Sequence, residues 1–317
     1  MTFALEMIDV SVNLGRNGQR LNIVDRVNIS LRPGETLGIV GESGCGKSVM
    51  ASTVAGITPG NLEVTGQILL DGKDLLKMSE GEMTDIRGKR VGMIFQDPFS
   101  WLNPVMTVGD HLVDVLVRHE NISRRAAKMR AVELLDLVRI AEPQRRVGDY
   151  PHEFSGGMCQ RVAVACAIAT QPALLIADEP TTALDVTIQA QILDLIVSLQ
   201  DEHNIALMLI SHDLGLIAEA ADRVAVMYRG RKVEEQPITG IFENPLHPYT
   251  RALIRTRPEL WKFDEYLGEI PGMVPALEER VVGCSFANRC EMARPECGRQ
   301  IPALRQIGAA DVACLYA

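Results

Sequence analysis

The N-terminal part of the chain alternates between apolar and polar positions. "LEMIDVSVNL" and "NIVDRVNISL" both show this period of two, which predicts half-buried β-strands. After a "RPGE" turn, the continuous apolar stretch "TLGIVG" predicts a buried strand, followed by a helix from about Val49. Asp71-Gly72 predicts the turn of a hairpin within "EVTGQILLDGKDL". "KRVGMIFQDP" predicts a further buried strand, broken by Pro98.

From about residue 107 to residue 170 the pattern becomes helical, as "AAKMRAVELLDLVRI" shows with its 3.6-residue apolar spacing. Strands then alternate with helices through "ALLIADEP", "QAQILDLIVSLQDEH" and "IALMLISHD", and "RVAVMYRGRKVEE" predicts a β-hairpin. This order predicts an α/β fold with a mainly parallel sheet core, an antiparallel β subdomain and a helical subdomain. We expect a domain over residues 1–240, its helical subdomain at about 97–170, and a separate Cys-containing extension over 241–317.

Composition narrows the class of protein. The chain has 317 residues, 47% of them hydrophobic, and a formal net charge of −9, which disfavours nucleic acid as a partner. No apolar run reaches the roughly 18 to 20 residues of a transmembrane helix, and the acidic residues near the N-terminus disfavour a signal peptide. We therefore expect the protein to stay in the cytosol, with its seven cysteines reduced rather than paired in structural disulfides.

The segment "GESGCGKS" has the spacing G-x-x-x-x-G-K-S of a P-loop, between a predicted strand and a predicted helix. Its glycines allow backbone N–H groups to converge on phosphate oxygens. Lys47 is expected to reach the β- and γ-phosphates, and the Ser48 hydroxyl to ligate Mg²⁺. Cys45 is either a small residue that fits or a thiol of low pKa at a helix start. The expected nucleotide contacts are Gly41, Glu42, Ser43, Gly44, Cys45, Gly46, Lys47, Ser48 and Val49.

Polar residues follow several of the predicted buried strands. Asp178 is expected to orient Mg²⁺ and its water, and Glu179 to act as the general base that takes a proton from water. His212 ends the "LMLIS" strand and is expected at the γ-phosphate, because ligands gather at the carboxyl edge of open α/β sheets. Gln96, after "GMIF", is expected to contact the metal or the attacking water.

A second glycine-containing segment, "FSGGMCQRV", precedes a long apolar helix. Free N–H groups at a helix start favour an anion. The order of the P-loop, Gln96, "SGGMCQ", "ADEP", "ALD" and "SHD" resembles the ATP-binding cassette (ABC) ATPases, over roughly residues 5 to 235.

The resemblance implies that two such domains pack head to tail, each clamping the ATP held by the other. Ser155, Gly156 and Gly157 would then contact the γ-phosphate bound to the partner. Gln160 is expected in the same group of nucleotide contacts. The segment Ala183-Leu184-Asp185 matches the loop that crosses between the two domains, which places Asp185 among the expected contacts.

"YPHEFSGGM", "FQDPFSWLNP" and "NPLHPYTRAL" are similar to the D-type ATPase subunit of the oligopeptide/dipeptide importers. This resemblance implies that ATP hydrolysis powers the uptake of peptides or related small solutes. The expected partners are a second ATPase subunit of paralogous F type, two transmembrane permease subunits and an extracytoplasmic solute-binding protein. The chain would lie peripherally on the cytoplasmic face of the inner membrane. The alternative is a soluble, non-transport ABC ATPase for iron–sulfur assembly or nucleic-acid remodelling.

Two positions depart from that family pattern. Leu14 stands where an aromatic residue usually stacks on adenine, so we expect somewhat weaker nucleotide affinity than in its relatives. An unchanged ATP affinity in Leu14→Phe would contradict this expectation. Cys159 stands where this subunit type more often has arginine.

Four cysteines gather near the C-terminus. Their intervals are longer than those of most structural zinc sites, and four thiolates are also the ligand set of a [4Fe–4S] cluster. Some dipeptide-type ATPases have a similar extension that is associated with such a cluster. Zinc and reduced structural thiols are the alternatives. The residues are Cys284, Cys290, Cys297 and Cys314.

Overall fold

The computed structural model describes residues 2–16, 19–182, 184–256 and 269–317. The chain divides into two compact units, each assembled from segments that are distant in sequence. Unit 1 comprises Met1–Leu5, Leu31–Glu35 and Leu70–Ile210. Unit 2 comprises Glu6–Ser30, Thr36–Leu69 and Ser211–Ala317.

Strands and helices alternate along most of the described residues, as the apolar pattern predicts. The strands are β1 (Leu5–Arg16), β2 (Gln19–Leu31), β3 (Thr36–Val40), β4 (Leu62–Leu70), β5 (Lys73–Asp74), β6 (Val91–Ile94), β7 (Leu174–Asp178), β8 (Ala206–Ser211), β9 (Arg223–Tyr228), β10 (Arg231–Pro237), β11 (Arg305–Ile307) and β12 (Ala310–Val312). The helices are α1 (Lys47–Val54), α2 (Glu80–Ile86), α3 (Pro98–Trp101), α4 (Val108–Glu120), α5 (Arg124–Leu137), α6 (Pro143–Arg146), α7 (Gly156–Ile168), α8 (Val186–His203), α9 (Leu214–Ala220), α10 (Ile238–Glu243) and α11 (Pro248–Arg255).

Unit 1 is built on parallel strands. β6 pairs with β7, and β7 pairs with β8, both in parallel register. Every residue of β7 and β8 is buried, as their continuous apolar sequences predict. The helix α7 approaches β6 closely at Gly92, where an added Cβ would lie 2.3 Å from the backbone oxygen of Ala167. Only glycine allows that approach.

Helices fill the stretch of unit 1 for which a helical subdomain was predicted. α4 begins at its cap Thr107, whose hydroxyl accepts a hydrogen bond from the Asp110 N–H at 3.1 Å. α5 begins at Ser123 in the same way. The two helices pack on each other and on α7. The exact limits of the subdomain, about 97–170, stay a prediction.

Unit 2 contains both parallel and antiparallel pairs. β3 pairs with β9 in parallel, and β9 and β10 form the predicted antiparallel hairpin. β12 pairs with β10, and β11 with β12, both antiparallel. In a second sheet of this unit, β1 lies between β2 and β4. The parallel pairs confirm the predicted mainly parallel α/β core.

The C-terminal extension is less separate than its composition suggests. Its strand β12 pairs with β10 through Glu234↔Val312 and Glu235↔Asp311. The extension therefore continues a sheet of unit 2, while the boundary at residue 240 stays a prediction. Among the described helices, none is both long and apolar enough to span a lipid bilayer.

Candidate functional site

The predicted phosphate loop connects β3 to α1 in unit 2. Gly46 has a φ of 101°, and an added Cβ there would lie 2.7 Å from the backbone oxygen of Ile23. Only glycine meets both demands. Lys47 is 4% exposed, and its ammonium donates hydrogen bonds to the backbone oxygens of Gly41 at 2.7 Å and Glu42 at 3.1 Å. The lysine therefore holds the loop in a closed turn.

The other residues of this loop differ in their exposure. Ser43, Gly44 and Ser48 are exposed, and Val49 is half-buried on the first turn of α1. The exposed residues are therefore accessible to a ligand from solvent. Their contacts with nucleotide stay a prediction.

Cys45 is buried within the phosphate loop. Its side chain is 2% exposed, and burial raises its pKa despite the nearby Lys47 ammonium. Desolvation disfavours the thiolate more than the lysine charge and the helix start favour it. Of the two interpretations of Cys45, burial of its thiol therefore favours the small residue that fits over the thiol of low pKa.

The acidic pair lies at the end of β7 in unit 1. Asp178 is 7% exposed and is the last residue of the strand. Glu179 follows it with a φ of 48°, and its backbone N–H donates to the Ile210 backbone oxygen at 2.9 Å. One Glu179 carboxylate oxygen, Oε2, accepts hydrogen bonds from Gln96 Nε2 at 3.1 Å and from Thr182 Oγ1 at 2.9 Å.

This arrangement brings together two of the predicted residues, Gln96 and Glu179. Thr182 was not among the predicted site residues. A hydroxyl three positions after the acid in "EPTT" is the signal that could have suggested it. The Gln96 amide and the Thr182 hydroxyl both hold this carboxylate in place, and a carboxylate is one of the groups that can act as a general base.

His212 directly follows β8, as predicted, and is exposed. It belongs to unit 2, and its contact with the γ-phosphate stays a prediction.

Ser155 is the N-terminal cap of α7. Its hydroxyl accepts a hydrogen bond from the Met158 N–H at 3.4 Å, and its side chain is exposed. At Gly157 an added Cβ would lie 2.8 Å from Ile188 Cγ2, so this glycine lets α7 pack on α8. The neighbouring Gly156 is half-buried, with Leu184 at 3.5 Å from the equivalent added atom. Part of the glycine pattern is therefore explained by packing.

Gln160 and Asp185 differ in their accessibility. Gln160 is 1% exposed, and neither polar atom of its amide has a hydrogen-bond partner among the described residues. A contact between Gln160 and a partner's nucleotide would require this side chain to be uncovered. Asp185 is exposed and caps α8 by accepting the Ile188 N–H at 3.0 Å. Ala183, the first residue of the same predicted loop, lies outside the described residues.

Cys159 is buried in unit 1. Its thiol donates to the Pro151 backbone oxygen at 3.4 Å, and burial raises its pKa to about 11. A neutral thiol satisfies its only donor in this place. This buried position therefore accommodates a small neutral thiol in place of the arginine that is more usual in this type of subunit.

The C-terminal cysteines converge. Cys284, Cys290, Cys297 and Cys314 all line one small cavity of unit 2. The Cys284 N–H donates to the Cys297 backbone oxygen at 2.7 Å, and burial raises the pKa of the Cys284 thiol. In the described part of the chain, no three or more His, Cys, Asp or Glu side chains are already arranged to hold a metal ion.

The fold and the loop between β3 and α1 define an α/β nucleotide-binding protein of the P-loop class. Residues 24–182 match the ABC transporter family, and residues 233–297 match the oligopeptide/dipeptide transporter C-terminal region. The chain belongs to the ABC transporter family.

Curated relatives match over most of their length. The probable peptide ABC transporter ATP-binding protein y4tR of Sinorhizobium fredii is 52% identical over 89% of this chain and 85% of its own. The oligopeptide transport ATP-binding protein OppD of Bacillus subtilis is 50% identical, over 92% and 83%. The dipeptide transport ATP-binding protein DppD of Escherichia coli is 45% identical, over 96% and 93%.

A solved structure shows the same fold. It is the dimeric, post-hydrolysis state of the ATP-binding cassette MJ0796 bound to ADP and phosphate. It is 26% identical to this chain, covers 74% of it and 98% of its own chain, and superposes with a TM-score of 0.66.

Proposed function

We propose that this chain is the ATP-hydrolysing subunit of an ABC importer and powers the uptake of peptides or related small solutes through partner permease subunits. The Glu179 carboxylate, positioned by Gln96 and Thr182 directly after Asp178, is the observation that supports hydrolysis. The match of residues 233–297 to the oligopeptide/dipeptide C-terminal region supports the peptide class. It also disfavours a soluble, non-transport ATPase.

The proposal assigns roles to residues of the P-loop and of the strand ends. Lys47 binds the β- and γ-phosphates, for which its ammonium has to exchange hydrogen bonds with the Gly41 and Glu42 backbone oxygens. Glu179 takes the proton of the attacking water, and His212 contacts the γ-phosphate. Mg²⁺ would neutralise charge on the phosphates when bound. Ser48, Gln96 and Asp178 offer the oxygen ligands that this cation prefers.

The exposed cap of α7 supports a paired arrangement. An exposed Ser155 at a helix start is suited to an anion supplied from outside the chain. We therefore propose that Ser155, Gly156 and Gly157 contact ATP bound by a second ATPase subunit, a paralogous F-type chain. Two permease subunits and an extracytoplasmic solute-binding protein complete the assembly, with this chain on the cytoplasmic face of the inner membrane.

Purification of the tagged chain from its native membrane tests the importer assignment. We expect two permease subunits and a second ATPase subunit to co-purify, and a peptide-loaded solute-binding protein to increase ATP hydrolysis by the complex. Recovery with ribosomes or with iron–sulfur scaffold proteins instead would contradict an importer.

We also propose that the cysteines of the extension bind a [4Fe–4S] cluster. Four thiols around one cavity fit the donor set of such a cluster. Among the described residues, the four thiols are not yet close enough together to hold a metal, so cluster binding would have to draw them together. A bound cluster would stabilise a segment that has little other regular structure.

Anaerobic purification tests the cluster. We expect visible absorption of an iron–sulfur chromophore, four irons per chain in a [4Fe–4S] unit, and loss of both in Cys297→Ser. Cys166→Ser is the control, since that buried thiol belongs to unit 1 and is not one of the four cysteines of the extension. Colourless, iron-free wild-type protein would contradict the cluster and favour reduced structural thiols.

A further inference from the structure

The C-terminal extension contacts the predicted phosphate loop at Glu42. The Arg289 guanidinium donates to the two Glu42 carboxylate oxygens, at 2.7 Å and 2.9 Å. The Tyr249 hydroxyl accepts the Glu42 backbone N–H at 2.9 Å. All three residues belong to unit 2. The extension therefore holds both the side chain and the backbone of one loop residue.

Arg289 is itself firmly held. Its side chain is 2% exposed and donates to the backbone oxygens of Pro271 at 3.0 Å and Ile270 at 3.2 Å. It also lies 5.9 Å from the ring centres of Tyr228 and Phe286. A paired, buried guanidinium with this many partners loses little freedom when it binds a carboxylate. The arginine can therefore fix the position of Glu42.

Tyr249 belongs to the "HPYTRAL" segment, for which the proposed catalytic roles leave no task. It is fully buried and packs on Tyr228 and Phe286, with ring centres 4.6 Å and 5.3 Å away. His247 caps α11 by accepting the Tyr249 N–H at 3.0 Å. The motif thus aims the tyrosine hydroxyl at the phosphate loop.

Glu42 connects these contacts of the extension to Lys47, the loop residue expected to bind phosphate. Its backbone oxygen accepts a hydrogen bond from the Lys47 ammonium at 3.1 Å. Its carboxylate is 28% exposed and is neutralised by Arg289. Without that arginine, an uncompensated negative charge would lie in a loop that has to bind a polyanion.

We propose that Arg289 and Tyr249 are positioning residues, which hold the phosphate loop through Glu42 so that the C-terminal extension sets the affinity for ATP. This rests on the proposed function of residues 41–48 as the ATP-binding loop. The extension would then act on ATP binding in addition to any metal it carries.

Titration of full-length variants with a fluorescent ATP analogue, displaced by ATP, tests this role. Arg289→Ala should weaken ATP binding at least about tenfold, since it both frees the loop and exposes a charge. Tyr249→Phe, which removes one neutral hydrogen bond, should weaken it about threefold. Arg255→Ala is the matched control: it removes an exposed arginine–glutamate pair of the same extension, with Glu291 at 3.5 Å, and should leave the affinity unchanged.

A charge rescue separates positioning from a general loss of structure. Glu42→Gln added to Arg289→Ala removes the uncompensated carboxylate and should recover part of the lost affinity. Where Arg289→Ala does not fold, Arg289→Lys keeps the charge without the paired donors and should still weaken binding about threefold.

Two different results would contradict the proposed function and the positioning role, respectively. Wild-type protein that binds no ATP would contradict the proposed function itself. Wild-type protein that binds ATP, together with Arg289 variants equal to Arg255→Ala or a double variant with no recovery, would overturn only the positioning role.

Discussion

Glu179→Gln should abolish ATP hydrolysis while ATP binding is retained. The substitution keeps the shape of the side chain and an oxygen that can accept from Gln96 and Thr182. It removes the basic carboxylate that would take a proton from the attacking water. General-base catalysis contributes about 10²- to 10⁴-fold, so we expect a loss of that size in kcat. ATP should then hold two ATPase subunits together, because the step that releases them is blocked.

Steady-state hydrolysis and the mass of the ATP-bound particle measure this outcome. Glu133→Gln serves as the control, because Glu133 is an exposed glutamate of α5 that pairs with Arg130 of the same helix, at 2.8 Å. Its hydrolysis rate should match that of the wild type. Hydrolysis at the wild-type rate in Glu179→Gln would remove Glu179 from the role of base.

Ser155→Arg should abolish hydrolysis by the assembled pair without weakening ATP binding by the single chain. In the proposed arrangement Ser155 contacts nucleotide held by the other subunit, so a bulky side chain there prevents closure on that nucleotide. Loss of donors that stabilise developing charge costs roughly 10²- to 10³-fold in kcat. Because Ser155 is exposed, a larger side chain does not disturb the core of its own chain.

The chain offers a matched control for this experiment. Ser123 caps α5 just as Ser155 caps α7, with its hydroxyl accepting an N–H three residues later, at 3.2 Å against 3.4 Å. Loss of either cap costs about 1 kcal/mol of stability. Ser123→Arg should therefore lower the melting temperature to a similar degree and leave hydrolysis intact. Equal loss of hydrolysis in both variants would show that the effect comes from lost stability, and would contradict the proposed pairing of two ATPase subunits.

Much of the fold follows from local patterns. The period of two in β1 and β2, the continuous apolar runs of β3, β7 and β8, and the 3.6-residue spacing of α5 each predict the element observed. Local turn chemistry was equally informative: Asp71 and Gly72 both have positive φ, as a two-residue hairpin turn requires. These features depend on neighbouring residues alone.

Other predictions could not have been refined without the structure. The burial of Cys45 and Gln160 depends on what packs over them, which the motif spacing does not encode. The pairing of β12 with β10 joins residues far apart in sequence, so composition suggested a more separate extension than exists.

The sequence by itself determined the phosphate loop, the acidic pair at the end of β7 and the class of protein, because these rest on residue types at short, fixed intervals. Only the tertiary structure decided that Gln96 and Thr182 hold Glu179, and that Arg289 of the extension holds Glu42. Glu179 and Gln96 are 83 positions apart, and Glu42 and Arg289 are 247 apart. No local preference of the backbone relates residues at such separations, and only the packing of buried strands and helices brings their side chains within hydrogen-bonding distance.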